Sequence, residues 1–211
     1  MITGFIALFF TSFVIALSGA LMPGPLLTMT ISESSRRGLL TGPLMILGHG
    51  ILELAVVVAL LSGFAPLLLR DDVFVVVSLV GGAVLIWLAV TMLRSVPQLS
   101  LAVADEAVKQ RNLIAAGIIL SAFNPYFILW WASIGIGYIV YAAKFGAIGV
   151  VCFFLGHILA DLGWYTFISF GVVKGKRFMS DRCYRGLISG CAVLLVIFSG
   201  YFFYSGINRL V

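Results

Sequence analysis

The chain has 211 residues, of which 62% are hydrophobic and only 10% are charged. Soluble domains carry about 25% charged residues, so this composition excludes a soluble globular protein. The mean hydropathy of +1.18 indicates an integral membrane protein. The net charge of +5 does not predict nucleic-acid binding, because the basic residues lie between apolar segments, where such residues orient membrane spans.

Six apolar segments follow one another along the chain, and each is long enough to cross a bilayer as a helix. They are residues 2–31, 39–69, 73–93, 113–141, 145–173 and 186–207. No basic residue precedes the first segment, so we do not expect a cleaved signal peptide. The longest polar stretch, 94–112, predicts a cytoplasmic linker that joins two halves, and one short interfacial helix within it is an open possibility. The chain thus divides into a first three-helix repeat at 1–93, the linker, and a second three-helix repeat at 113–211.

The basic residues predict how the chain lies in the membrane. Loops one, three and five carry ten Lys and Arg residues, whereas loops two and four and the C-terminal tail carry three. Cytoplasmic loops hold the excess of Lys and Arg in membrane proteins. We therefore expect a multi-pass protein of the cell (cytoplasmic) membrane, with both termini on the extracytoplasmic side.

Helices one and four each contain a proline motif inside an apolar segment. The motifs are Pro23-Gly24-Pro25 and Asn124-Pro125. Proline removes a backbone donor and clashes with the preceding turn, so these two helices are predicted to be broken. The breaks are candidate gates or substrate-binding elements, and the Asn124 amide is a candidate partner for a substrate carboxylate. Kinks that serve packing alone are the alternative.

Two histidine–acid pairs lie in the middle of segments two and five. His49 precedes Glu53 by four residues, and His157 precedes Asp161 by four. On a helix this spacing puts both side chains on one face, one turn apart. A carboxylate at this depth costs about 2.5–3.5 kcal/mol on insertion scales, so such residues usually serve function. The acids are candidate proton carriers or cation ligands, and a structural hydrogen bond between helices is the alternative.

The histidines extend these possibilities. An imidazole within reach of a carboxylate can tune it, relay a proton or bind a metal, and a buried neutral imidazole bonded to a carbonyl is the alternative. If the two pairs faced each other, the four side chains would suit zinc or another first-row metal. Trp131 and Trp164 are further candidates for lining a cavity.

The order of these features is the same in both halves of the chain. Each half has a proline-broken helix, then a helix with Gly-His and an acid, then a plain helix. Because each half has three spans, the second half must be inverted in the membrane. Inverted repeats with discontinuous helices are typical of secondary transporters, whose binding site lies near the midplane.

Together, these motifs resemble those of the lysine exporter family (amino-acid exporters of the LysE/RhtB type). The resemblance covers nearly the whole chain, including its length, span count and linker. It rests on Pro23-Gly24-Pro25, Glu53, Asn124-Pro125 and Ala160-Asp161-Leu162-Gly163-Trp164. The histidines are not part of the family pattern, and Glu53 stands where aspartate is common.

The resemblance implies a secondary transporter that exports amino acids or related small solutes, coupled to protons, with a homodimer as an open possibility. Its site would include Glu53, Asp161 and Asn124, with no cofactor. A divalent metal cation exporter that uses both His-x3-acid pairs remains the alternative. An intramembrane enzyme is not expected, because no protease motif occurs and the cysteines lie away from the helix breaks.

Overall fold

The computed structural model describes residues 2–98, 112–175, 178 and 180–210. Throughout these ranges the regular elements are helical, and six helices are long and apolar enough to cross a membrane. The prediction of an all-helical membrane protein with six spans is therefore confirmed. Most of the predicted linker, including any interfacial helix, lies outside the described residues.

The helix boundaries follow the apolar segments closely. The α-helices are α1 (Ile2–Ala20), α2 (Pro25–Arg37), α3 (Thr41–Ala59), α4 (Ala65–Leu68), α5 (Asp71–Ser95), α6 (Leu113–Ala122), α7 (Pro125–Trp130), α8 (Ile136–Ala143), α9 (Gly146–Gly175) and α10 (Asp181–Asn208). A π-helical turn joins α3 to α4 at Leu60–Phe64, and another joins α7 to α8 at Trp131–Gly135. A short 3-10 turn, Val96–Gln98, follows α5.

Helices one and four are broken at their proline motifs, as predicted. Pro25 and Pro125 are the first residues of α2 and α7. Proline suits this position, because the first helical residue needs no N–H bond and its fixed φ is already helical. The chain leaves the helix at residues 21–24 and 123–124.

Two boundaries were predicted wrongly, at the start of helix six and at the end of helix one. Residues 181–185 precede the predicted segment 186–207 but belong to α10. Glu33, Arg36 and Arg37 lie between the predicted segments 2–31 and 39–69, where a loop was expected, but they belong to α2. An ion pair of 2.7 Å joins Arg37 Nε to Glu33 Oε2 one turn earlier. The neighbouring hydroxyls face protein, with Ser34 Oγ 2.9 Å from Ser169 Oγ on α9. The polar residues extend this helix because its partners are other helices rather than lipid.

The helices pair in the same way in the two halves. The first helix of each half packs on the second helix of the other, α1 on α9 and α6 on α3, and the third helices α5 and α10 pack together. Small residues allow the close approach. A Cβ on Gly48 would collide with the Ile114 carbonyl, and a Cβ on Gly156 would collide with the Phe9 carbonyl.

These crossings correspond residue by residue. Gly156 follows Gly48 by 108 positions, and Ile114 follows Phe9 by 105. The same two offsets relate a second pair of contacts. Ser12 bonds the Phe153 carbonyl at 2.6 Å, and Gly117, 105 positions after Ser12, abuts the carbonyl of Met45, which is 108 positions before Phe153.

The breaks, in contrast, are not at corresponding positions. Pro25 comes 13 residues after Ser12, whereas Pro125 comes 8 residues after Gly117. Helix α1 therefore continues past its crossing for three residues more than α6 does, which is just under one turn. The extra length brings Ser18 to the second break, where Tyr126 Oη donates to the Ser18 carbonyl at 3.1 Å.

Candidate functional site

The two histidine–acid pairs meet in the centre of the molecule. Helix α3 carries His49 and Glu53, and α9 carries His157 and Asp161. The shortest contact, 2.9 Å, joins His157 Nε2 to Glu53 Oε1. His49 Nε2 lies 3.2 Å from the same oxygen. Asp161 Oδ2 is 3.4 Å from His157 Nε2 and 3.8 Å from His49 Nε2, which closes a ring of alternating imidazoles and carboxylates.

This ring of four side chains, called the ring below, is almost completely buried. The exposed fractions are 1% for Glu53, 3% for Asp161 and 4% for His157. Glu53 Oε2, Asp161 Oδ2 and His157 Nδ1 have no hydrogen-bond partner among the described residues. Buried polar atoms of this kind cost free energy unless a ligand or water pairs with them. The ring is therefore incomplete as a hydrogen-bond network and has capacity for a guest.

The two histidines differ in how their second nitrogen is held. His49 Nδ1 lies 2.7 Å from Ser121 Oγ on α6, and a hydroxyl can either donate to or accept from a ring nitrogen. His157 Nδ1 has no such partner. By the offset of 105 between α1 and α6, the residue corresponding to Ser121 is Ala16, which has no hydroxyl. The two halves of the ring are thus chemically unequal.

Two tryptophan side chains pack against one side of this four-residue ring. The ring centroids of Trp130 and His157 are 4.7 Å apart, and Trp131 lies 5.6 Å from the same imidazole. Trp131 belongs to the π-helical turn, a feature that is frequent at functional sites. Trp164 lies outside the cavity lining and stacks on Phe167 instead, with centroids 5.8 Å apart.

A cavity lies between the ring and the helix breaks. It leaves about 50 Å³ for the centres of water-sized atoms, which is room for roughly three to five waters. Among the described residues that line it, none is Lys or Arg. The lining consists of Ala16, Gly19, Ala20, Met22, Gly24, Leu26, His49, Glu53, Ser121, Asn124, Tyr126, Phe127, Trp130, Trp131, His157, Asp161 and Tyr165.

The predicted site residues occupy different parts of this region. All four ring residues, Gly24 and Asn124 line the main cavity. Pro23 and Pro25 line a smaller neighbouring chamber. Pro125 lines neither, because its ring packs against Gly81 of α5. Sequence reasoning missed Ser121, although its position one turn before Asn124 places it near the second break.

Comparison with known proteins identifies the family. The family described as "LysE type translocator" matches residues 17–206, which is most of the chain. The chain belongs to this family. A curated relative, "Chemotactic transduction protein ChpE" of Pseudomonas aeruginosa strain PAO1, is 34% identical over 175 residues, covering 80% of this chain and 86% of the relative. No solved structure matches the chain. This LysE-type protein is thus a multi-pass membrane transporter of small solutes.

Proposed function

We propose that this LysE-type protein exports amino acids or related small solutes across the cytoplasmic membrane in exchange for protons, with the ring as the coupling site. One observation carries the proposal. The ring is buried and incomplete, and it lies on a cavity between two broken helices. Transporter sites are commonly built from discontinuous helices near the midplane.

The chemistry of exchange follows from the absence of a fixed cation. No Lys or Arg among the described residues lines the cavity, so the charge of the two carboxylates is balanced by protons on the imidazoles or by a cationic guest. A solute with an ammonium group competes with protons for Glu53 and Asp161. A carrier that holds either guest, but not both, exchanges one for the other as access alternates.

The corresponding helix crossings support two inverted three-helix repeats, 1–93 and 113–211, that rock against each other. The positive-inside count supports extracytoplasmic termini. In this arrangement the solute enters from the cytoplasm and reaches the ring between the breaks. His49, His157 and Asn124 are binding residues, and Pro23, Gly24, Pro25 and Pro125 form the gate.

The test is proton flux in vesicles that contain the purified protein. A pH gradient is imposed, and a panel of amino acids and then a panel of divalent cations are added. We expect an amino acid to trigger proton movement, and we expect Asp161→Asn with Glu53→Gln to abolish it. The matched control is Asp71→Asn, which removes an exposed carboxylate at the start of α5. Unchanged coupling in the double amide variant would refute the proposal.

Divalent cation export is the second candidate, favoured by a specific geometry. Ligand atoms of His49, Glu53 and Asp161 all lie within 4.8 Å of one another. Nitrogen and carboxylate oxygen ligands suit zinc and other first-row metals. The same vesicles separate the candidates, because flux triggered only by metals, and lost in His49→Gln, would favour a metal substrate over an amino acid.

A further inference from the structure

A smaller chamber adjoins the main cavity at the helix breaks. Apolar side chains of α5 and α10 line the far side of this chamber: Leu85, Leu195, Phe198 and Phe202. Four residues line both spaces: Met22, Gly24, Asn124 and Tyr126. The cavity that holds the ring and the chamber that faces α5 and α10 thus adjoin at a junction formed by the two breaks.

The main cavity offers two carboxylate oxygens that can still accept hydrogen bonds. Glu53 Oε2 and Asp161 Oδ2 are buried acceptors without a hydrogen-bond partner among the described residues. An ammonium group has three donors and no acceptor, so it matches such a pair of oxygens. A solute held here therefore presents an amine to the ring.

The junction offers hydrogen-bond donors, one of which is the side-chain amide of Asn124. Its Oδ1 caps α7 by accepting from the Tyr126 backbone N–H at 3.2 Å. Because this bond fixes the oxygen, the NH₂ group faces the other way. Asn124 Nδ2 lies 3.4 Å from the place where a Cβ on Gly24 would stand.

Gly24 keeps this place open. It is the N-cap of α2, and no side chain caps that helix. Helix N-termini favour anions, because their first N–H groups are unpaired and carry the positive end of the helix dipole. An anion next to Gly24 would accept from Asn124 Nδ2 and face the start of α2. The junction therefore suits a carboxylate.

The chamber limits the size and the charge of any side chain that the solute places in it. It leaves about 10 Å³ for the centres of water-sized atoms, which is room for roughly one small group, about the size of a water molecule. No charged side chain lines it in the described part of the chain. A long cationic side chain would find neither space nor a partner there.

We propose that the solute is a zwitterion with a short uncharged side chain, such as alanine or serine. Its ammonium group binds Glu53 and Asp161, its carboxylate lies between Asn124 and the start of α2, and its side chain enters the chamber. This inference rests on the proposed function. An α-carbon at the junction directs its three substituents into the three environments.

The first experiment measures binding rather than flux, so it is independent of proton coupling. Radiolabelled alanine is bound to the purified protein and displaced by serine, ethylamine, propionate and lysine. We expect serine to compete within about tenfold of alanine. Ethylamine, propionate and lysine should each compete at least about a hundredfold more weakly. Ethylamine lacks the carboxylate, propionate lacks the ammonium group, and the side chain of lysine is too long and is charged.

Asn124→Asp tests the carboxylate contact. Aspartate keeps the cap of α7 but replaces the donor amide with an acceptor. We expect alanine binding to weaken by about tenfold or more, and Asn124→Ser, which also caps, to weaken it similarly. Asn112→Asp is the matched control, because Asn112 caps α6 in the same way at an exposed position away from both cavities. Its effect should stay within about twofold.

Leu195→Ala tests the chamber. Removing this buried side chain enlarges the apolar space, so we expect norvaline to gain about tenfold relative to alanine. Leu194→Ala, at a partly exposed position one residue away on α10, should leave the ratio unchanged. Lysine competing as well as alanine, or equal effects of Asn124→Asp and Asn112→Asp, would overturn the inference. Alanine binding without proton movement would instead refute only the coupling.

Discussion

At the scale of single residues, the ring differs between the two halves of the chain. Ser121 gives His49 Nδ1 a partner that works in either protonation state, because a hydroxyl both donates and accepts. Ala16 corresponds to Ser121 on α1 and offers nothing to His157. One imidazole is thus held in a fixed orientation by a hydroxyl, and the other is held by a carboxylate and aromatic rings alone.

Ser121→Ala should therefore weaken transport, because His49 would lose the hydroxyl group that fixes its orientation. We expect a decrease of about tenfold, the equivalent of one hydrogen bond to a buried group. Ser121→Thr should restore activity because it keeps the hydroxyl. Ser62→Ala is the control, since that exposed hydroxyl bonds only its own helix at Val58. The measurement is initial transport rate in vesicles, and equal rates for Ser121→Ala and the wild type would contradict the role.

The residue-scale predictions from sequence succeeded only within one helix. The four-residue spacing placed each histidine beside its own acid, because helix geometry is local. The contact between His157 and Glu53 joins residues 104 positions apart. No spacing rule gives such a distance, since it depends on how α3 and α9 pack. Ser121 was missed for the same reason, because its partner His49 lies 72 positions away.

At the scale of helices, close packing depends on small residues at a few crossings. Gly48 and Gly156 each face a backbone carbonyl that leaves no room for a side chain. In lipid, helices associate through van der Waals packing and hydrogen bonds rather than through hydrophobic burial, so these approaches matter for stability. Gly186 and Gly190 have the GxxxG spacing that often marks helix contacts. Among the described residues, however, no atom lies within 4 Å of a Cβ added at either position.

Gly156→Ala should destabilise the protein by about 1–3 kcal/mol, because the added methyl group would push α9 away from α1. Gly171→Ala is the matched control on the same helix, where a Cβ would meet open space. We expect this second change to be neutral. Thermal unfolding in detergent measures both, and an equal melting temperature for the two variants would contradict the proposed crossing.

Element boundaries could be predicted well wherever apolar length or proline decided them. The spans and both breaks follow from such local signals. The end of helix one could not, because α2 is polar and resembles a loop in sequence. Its polar residues are buried against other helices, with Ser35 Oγ 2.9 Å from Tyr184 Oη on α10. A prediction of helix ends from local hydropathy assumes that each membrane helix is surrounded by lipid. It fails for α2, because the surroundings of this helix are other helices.

At the scale of the whole molecule, the crossings of the two halves correspond but their breaks do not. Pro25, which follows the break in helix one, lies five residues further from its crossing than Pro125, which follows the break in helix four. Rocking of inverted repeats exchanges equivalent positions between inward-open and outward-open states. Under the proposed mechanism, unequal breaks predict different gates for the two states, one formed largely by Pro23–Pro25 and the other by Asn124 and its neighbours.

The topology can be tested with cysteine labelling. Cys183 is exposed in the first turn of α10, next to the basic loop five, so we expect it on the cytoplasmic side. In a Cys152→Ser, Cys191→Ser background, a membrane-impermeant maleimide should modify Cys183 only after cells are permeabilised. Leu210→Cys in a background without Cys183 should react in intact cells, because Leu210 is exposed at the opposite end. The reverse pattern would refute the orientation.

The polar helix α2 has a consequence for biosynthesis. Its hydroxyls find their partners on α9 and α10, with 135 residues between Ser34 and Ser169 and 149 between Ser35 and Tyr184. A ribosome adds about 5–20 residues per second, so α2 waits for roughly 7–30 s before its partners are made. Until then it has no place in the hydrocarbon interior. We therefore expect α2 to reach its final position only after α10 has been made, and a chain truncated before α9 to leave this segment outside the hydrocarbon interior.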